Sequence, residues 1–390
     1  MQTKILFIEI CNFRDYPIGG YLSFAKQMLT AFGDQLSLVG LAVDNMPIGK
    51  WQKRNIDGIE YNYFAVADFT KTSSKTFVPY RLKSYIAIKK FRKEILSMGF
   101  DNVFVQTPEV LFALRKERIN NLCCRIPGVG NPMIYSRYWY GKLFAKIFDY
   151  YFFNELKKAS IVLATADKKS IVDFIQRSNG KLSIDNVIQF PSRVNTEIFK
   201  PLDKNKCRLA LKLPVVKKII VTTGRISELK GWKFMLDCFV KFKETNHDSI
   251  FIFIGDGEDC LKVESYIKHL NISDSVIITG RVNHKELANY LNAADIYIMG
   301  SYIEGWATSL VEAIACAKPV VCTDFSSACD LIESDINGFV IENRNVDSFV
   351  EAMQKCENIL SDTLIQHSKK MILYSASNLK KNILDFWKLK

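Results

Sequence analysis

The feature that most restricts the fold of this chain is a recurring unit in its second half. Short apolar, β-branched runs at Lys218–Thr223, Ser249–Ile254, Val276–Thr279 and Ile296–Met299 each end in a glycine or polar loop, and helical periodicity follows. That alternation specifies an open α/β sheet. The first half repeats it, with strands expected at Lys4–Glu9, Leu36–Val43, Ile59–Ala65, Asn102–Gln106, Ile161–Thr165 and Val187–Phe190, and with helices between them. Its first strand runs into a loop, Cys11–Gly20, that closes on Gly19-Gly20 before a helix at Leu22–Phe32. Ligands of such sheets bind beyond the carboxyl ends of the strands, and there the glycines let backbone approach them closely. The loops at Gly19-Gly20, Gly224-Arg225, Gly255-Asp256-Gly257 and Gly280-Arg281, together with the one after Met299, are therefore the candidate site.

A chain of 390 residues exceeds what one core usually supports, so two domains are expected. The boundary is placed at 195/196, after PSRVNTEIFKP begins at residue 191, and the polar, Lys-rich stretch Leu202–Lys212 reads as the linker. No apolar run reaches the ~18 residues of a membrane span, and Ile5–Ile10 is too short for a signal-peptide core, which makes a cytoplasmic protein the expectation. Ten cysteines without a C-x-x-C spacing read as reduced core residues, with no disulfide framework and no metal site.

The net charge of +12 is uneven: residues 1–195 hold 28 Lys+Arg and 16 Asp+Glu (28 − 16 = +12), and residues 196–390 hold 25 of each. An excess confined to one half points to a polyanionic partner of that half. Two basic aromatic segments carry much of it. Phe77–Lys93 interleaves Arg81, Lys83, Lys89, Lys90, Arg92 and Lys93 with aromatic rings, and Tyr135–Phe153 contains Trp139. Rings in a headgroup layer and cations on anionic lipid suit a membrane surface, although both segments also read as amphipathic helices packed on the sheet. No nucleic-acid-binding pattern accompanies the charge.

In the stretch 297–323, two carboxylates, Glu304 and Glu312, straddle the start of a helix expected at Ser309–Ala317. With Thr308 or Ser309 as N-cap, the first-turn amides of that helix are open to an anion such as phosphate. Glu312 lies one turn in, where a carboxylate can accept hydrogen bonds from a diol, and Glu304 lies in the loop above. Either glutamate alone also reads as an ordinary surface residue. Arg225 and Lys230, on one loop, are the cations that would grip a phosphate.

Taken together, these residues resemble the retaining glycosyltransferases of family 4. The resemblance rests on Gly224-Arg225 with Lys230-Gly231, GDG at 255–257, Gly280-Arg281, AAD at 293–295 and S-x-x-EGWATSLVEAIACAKPVV from Ser301 to Val321. In the first half it extends only to Gly19-Gly20 and PSRVNTEIFKP. It implies an α/β protein of two Rossmann-like domains facing across a cleft (the glycosyltransferase B fold), with the last helix, Ser375–Lys390, crossing back to the first domain. The domains would be 1–195 with 374–390, and 196–373.

The resemblance further implies a nucleotide-diphospho-sugar donor and a glycan or lipid-linked acceptor hydroxyl. Arg225 and Lys230 would neutralise the diphosphate, Glu304 would contact the sugar and Glu312 the ribose. The amides of Ala307, Thr308, Ser309 and Leu310 would hold phosphate oxygens, with Gly19, Gly20, Gly224, Gly255 and Arg281 completing the donor site. No cofactor or metal is expected, because no D-x-D motif occurs. The four histidines, 247, 269, 284 and 367, all lie in the second half, whereas many relatives use a first-domain histidine. The loop 125–132 therefore offers Asn131 or the amides near Gly128 and Gly130 in its place. Trp306 and Ala307 stand where phenylalanine and glycine are common, which reshapes the sugar pocket. The setting expected is bacterial surface polysaccharide or lipopolysaccharide assembly on the inner face of the cytoplasmic membrane. A nucleotide-sugar epimerase and a non-catalytic partner subunit are the competing readings.

Overall fold

The structure, a computed structural model, describes residues 4–17, 20–68, 80–134 and 140–388. The chain divides into two compact units, Met1–Ser192 with Ser377–Lys390, and Arg193–Ala376. Each is built around one sheet with helices on both faces.

The first unit contains β1 (Ile5–Ile8), β2 (Leu36–Leu41), β3 (Trp51–Ile56), β4 (Ile59–Ala67), β5 (Asn102–Val105), β6 (Asn121–Ile126), β7 (Ile161–Ala164) and β8 (Val187–Gln189). They lie in the order β3-β4-β2-β1-β5-β6-β7-β8, parallel except for the antiparallel β3–β4 pair. Side chains alternate across a strand, so Leu6 and Ile8 enter one core cluster while Ile5 and Phe7 enter the other. The helices of this unit are α1 (Gly20–Phe32), α2 (Tyr80–Leu96), α3 (Pro108–Ala113), α4 (Tyr140–Leu156) and α5 (Lys168–Arg177).

The second unit contains β9 (Lys218–Thr223), β10 (Ser249–Ile254), β11 (Val276–Ile278), β12 (Ile296–Met299), β13 (Val320–Thr323) and β14 (Gly338–Ile341), all parallel in the order β11-β10-β9-β12-β13-β14. Its helices are α6 (Lys204–Ala210), α7 (Trp232–Lys243), α8 (Cys260–His269), α9 (His284–Ala293), α10 (Thr308–Ala315), α11 (Ala328–Leu331), α12 (Val346–Lys355) and α13 (Ser361–Ser368). The chain then forms α14 (Leu379–Trp387), which belongs to the first unit. There Leu379, Ile383 and Trp387 are buried, and the Trp387 indole N–H donates to Asn121 Oδ1 at 2.7 Å.

Three expectations change. Between β2 and β4 the chain forms a hairpin rather than a helix, because Asp57 and Gly58 adopt φ of 50° and 85°, the pair of positive values that a two-residue type I′ turn requires. The stretch Leu202–Lys212 is not a linker. Asp203 caps α6 by accepting from the Lys206 amide, and the buried Arg208 pairs with Asp295 at 2.7 Å, which fixes α6 onto the second sheet. The unit boundaries fall at 192/193 and 376/377 rather than 195/196 and 373/374, because Val194 bridges Ser375 and Ala376 donates back to the Val194 carbonyl.

Candidate functional site

In the second sheet the strand order reverses at β9, which has β10 on one side and β12 on the other. A crevice opens at such a switch point, beyond the carboxyl ends of the two central strands. The loops that leave those ends are 224–231 and 300–307, and they carry Lys230 and Glu304.

The two loops are joined backbone to backbone. Tyr302 N–H donates to Leu229 O at 2.9 Å. Gly231 has φ +68°, and a Cβ there would fall inside the contact radius of the Gly300 carbonyl oxygen. Gly255 and Gly257 meet the carbonyls of Gly224 and Ile226 in the same way. These glycines are required because no side chain fits between loops this close.

Lys230 Nζ lies 2.5 Å from Glu304 Oε1, and Ser301 Oγ donates to the same oxygen at 2.6 Å. Both donors take Oε1, so Oε2 remains for a ligand hydroxyl. The Glu304 side chain is 13% exposed, which makes this pair much less screened than a surface one. Arg344, which sequence reasoning missed, holds the loop from the other side. Its two terminal nitrogens donate to the Gly300 and Ser301 carbonyls at 2.8 and 2.5 Å, and its guanidinium lies 3.5 Å from the centre of the Tyr302 ring. Nothing local in the sequence marks it, since it lies 43 residues beyond Ser301.

The N-cap of α10 is Ala307, not Thr308 or Ser309, and no side-chain bond caps it. Ala307 N–H donates to the buried Ser327 Oγ at 3.1 Å, and Leu310 N–H donates to Ala307 O at 3.1 Å. Of the expected anion-binding amides, those of Thr308 and Ser309 therefore remain. Glu312, in the same helix, is half-buried and accepts no hydrogen bond from the described residues. Burial lifts its pKa from the ordinary 4.5 to about 8.

Arg225 and Arg281 point outward. Arg225 Nε pairs with Glu258 at 2.7 Å and Arg281 Nε with Asp256 at 3.4 Å, all four side chains being exposed. Exposed pairs are worth little, so either guanidinium can turn to an anion at small cost. Arg225 and Lys230 line one small pocket with Gly224 and Ser301. Trp306 is 7% exposed and packs on Tyr374, with ring centres 5.6 Å apart.

The remaining candidates lie in the first unit. Gly20 opens α1, and Gly19 lies outside the described residues. Gly128 and Gly130 line a cavity beyond β5 and β6. Asn131 is committed to backbone: its Nδ2 donates to Ala145 O at 2.8 Å and its Oδ1 accepts from Met133 N–H at 2.8 Å. On α2, Arg81, Lys89, Lys90 and Lys93 are exposed and Lys83 is half-buried. Arg92 pairs with Glu117 at 2.7 Å and so serves the fold. Trp139 lies outside the described residues. Among the described residues no acidic, cysteine or histidine cluster could hold a metal, and no helix is long and apolar enough to cross a membrane.

Residues 203–375 match the family model described as Glycosyl transferases group 1. The matched segment lies wholly within the second unit. Over 211 residues the chain is 26% identical to the phosphatidylinositol N-acetylglucosaminyltransferase GPI3 subunit of Saccharomyces cerevisiae (strain YJM789), covering 53% of this chain and 46% of that one. It is 27% identical over 202 residues to the putative teichuronic acid biosynthesis glycosyltransferase TuaC of Bacillus subtilis (strain 168), covering 51% and 47%. The matches thus span about half the length of these curated relatives. The fold likeness covers the whole chain. Sucrose-phosphate synthase of Thermosynechococcus elongatus superposes with a TM-score of 0.74 at 15% identity, covering 99% of this chain and 98% of that one. Anabaena Alr3699/HepE, solved with UDP and glucose, gives 0.68 at 17% identity and 99% coverage of both. Both units are Rossmann-like, and the fold is glycosyltransferase B.

Proposed function

We propose that this chain is a retaining glycosyltransferase of family 4 that moves a sugar from a nucleotide-diphospho-sugar, with UDP or GDP as carrier, to the hydroxyl of a glycan or lipid-linked acceptor. The observation that carries the reading is the cluster at the β9–β12 switch point: Lys230, Glu304 and Ser301 within hydrogen-bond distance, beside the Thr308 and Ser309 amides and the Glu312 carboxyl, which have no partner among the described residues. A cation and open amides suit a diphosphate, and two carboxylates suit sugar and ribose hydroxyls. The group 1 match of the same segment supports it.

In the reaction the bond from the anomeric carbon to the diphosphate oxygen breaks, and a bond to the acceptor oxygen forms on the same face. The acceptor proton passes to the leaving phosphate, so no protein base is needed. Charge develops on the diphosphate, where Lys230, Arg225 and the Thr308 and Ser309 amides stabilise it without a metal. Glu304 Oε2 positions the sugar, and Glu312 the ribose.

The second face of the proposal is a membrane. On α4, Leu143, Phe144, Ile147, Tyr150 and Tyr151 form one exposed stripe at helical spacing, flanked by Lys142 and Lys146. With the α2 cations this fits an anionic lipid surface, as expected of an enzyme of bacterial surface-polysaccharide assembly at the cytoplasmic face of the membrane. Support for that setting is the likeness to a putative teichuronic acid glycosyltransferase. The test is the anomeric configuration of the product by NMR, from a donor that raises the melting temperature. Retained configuration is expected; inverted configuration overturns the mechanism.

A further inference from the structure

The first unit holds a cavity at the carboxyl ends of β5 and β6 that the donor site does not use. Arg81, Thr107, Arg125 and Arg177 line it, and Phe148 and Phe152 of α4 form an apolar wall. The cavity holds about 70 Å³, where one water needs ~10–15 Å³, so several waters or one tetrahedral oxyanion fit. Thr107 is the informative residue. It occupies the N-cap position of α3, where a threonine hydroxyl ordinarily bonds a first-turn amide, yet it makes no cap bond. The residue is 6% exposed, and its Oγ1 has no hydrogen-bond partner among the described residues. A buried hydroxyl left without a partner is destabilising, so a ligand that bonds it recovers that energy.

Two of the three cations around it are held in place. Arg125 is 3% exposed, donates to Gln106 Oε1 at 3.0 Å and stacks 4.0 Å from the Phe24 ring centre. Arg177 donates to Val129 O at 2.8 Å and lies 3.1 Å from Asp149. Arg81 is exposed at the first turn of α2. Each of these cations has an acid near it. Asp149 offsets Arg177, and burial raises the pKa of both Glu9 and Glu109. Guanidinium groups with a hydroxyl donor in a small, partly apolar cavity form a phosphate site.

We infer that the first unit binds a phosphoryl group through Arg81, Thr107, Arg125 and Arg177, and that the acceptor is therefore a phosphorylated molecule. Only the word acceptor rests on the transferase reading; the phosphate site does not. The apolar wall and the exposed α4 stripe admit a lipid phosphate, and the same chemistry admits a sugar phosphate.

The test is equilibrium dialysis of the full chain with radiolabelled inorganic phosphate. It is run in an Arg225→Ala/Lys230→Ala background so that the second unit does not contribute. One phosphate site is expected to remain, and Thr107→Val and Arg81→Glu each to weaken it tenfold or more. Thr107→Val is nearly isosteric and Arg81 is exposed, and near-UV circular dichroism checks both folds. Displacement by glucose 6-phosphate identifies a soluble acceptor. Co-sedimentation with phosphatidic acid in phosphatidylcholine vesicles that Thr107→Val diminishes identifies a lipid one. Absence of phosphate binding in that background, or binding indifferent to both substitutions, overturns the inference. UDP affinity unchanged by Arg225→Ala/Lys230→Ala would instead count against the donor site alone.

Discussion

Replacing Glu312 by alanine tests the ribose assignment in a way that depends on pH. Burial holds the Glu312 pKa at about 8, so at pH 7 the carboxyl of the free protein is mostly protonated. Two ribose hydroxyls donating to the ionised carboxylate supply roughly 3 kcal/mol, taking about 1.5 for each hydrogen bond to a charged group. Ionising the group one pH unit below its pKa costs about 1.4 kcal/mol. At pH 7 the net contribution is then roughly 1.6 kcal/mol, about 15-fold in UDP affinity, and at pH 9 the full 3 kcal/mol returns, roughly 150-fold. Isothermal titration of wild type and Glu312→Ala with UDP at pH 6, 7, 8 and 9 reads both quantities. Wild-type affinity should rise with pH up to about 8, and the variant should lose that rise. A Glu312→Ala effect of the same size at every pH would refute the argument, and no effect would remove Glu312 from the site.

Other outcomes follow from the same geometry. Arg344→Ala frees the Gly300 and Ser301 carbonyls and should lower stability by about 1–3 kcal/mol in urea denaturation; Arg344→Lys should not restore it, because lysine lacks the planar fork, and full rescue would contradict the clamp. Gly231→Ala puts a Cβ against Gly300 O at φ +68° and should cost about 2–4 kcal/mol and abolish donor binding, whereas wild-type UDP affinity would show that the loops are not locked. Glu9 has its pKa raised to about 8, first by burial and then by Glu109. Between 4.5 and about 8 the folded state therefore keeps a proton that the unfolded chain has lost, and this group makes stability fall as pH rises. Glu9→Gln should thus gain melting temperature relative to wild type from pH 5 to pH 8; a constant difference would contradict the shift.

The strands of the second unit were legible because their apolar runs are local, and the glycines after them because close backbone packing admits no other residue. What escaped the sequence was non-local. The loops of Lys230 and Glu304 were legible as one site, but the direct pairing of the two side chains spans 74 residues and follows from the strand order at β9. The Ala307 amide is held by Ser327, 20 residues on, so a Thr308 or Ser309 cap was the natural expectation from local chemistry. Leu202–Lys212 looked like a linker because its stabilising partner, Asp295, is 87 residues from Arg208. The β3–β4 hairpin is different, since Asp57-Gly58 is a local turn signal that the helix expectation passed over.

The central claim is that the Lys230–Glu304–Glu312 crevice binds and activates a nucleotide-sugar. The most direct measurement is release of nucleoside diphosphate from a panel of UDP- and GDP-sugars by wild type and by Arg225→Ala/Lys230→Ala. The account predicts release from at least one donor by wild type and none above background by the double variant. Undiminished release by the variant, or a panel in which no donor is bound or cleaved, would contradict it.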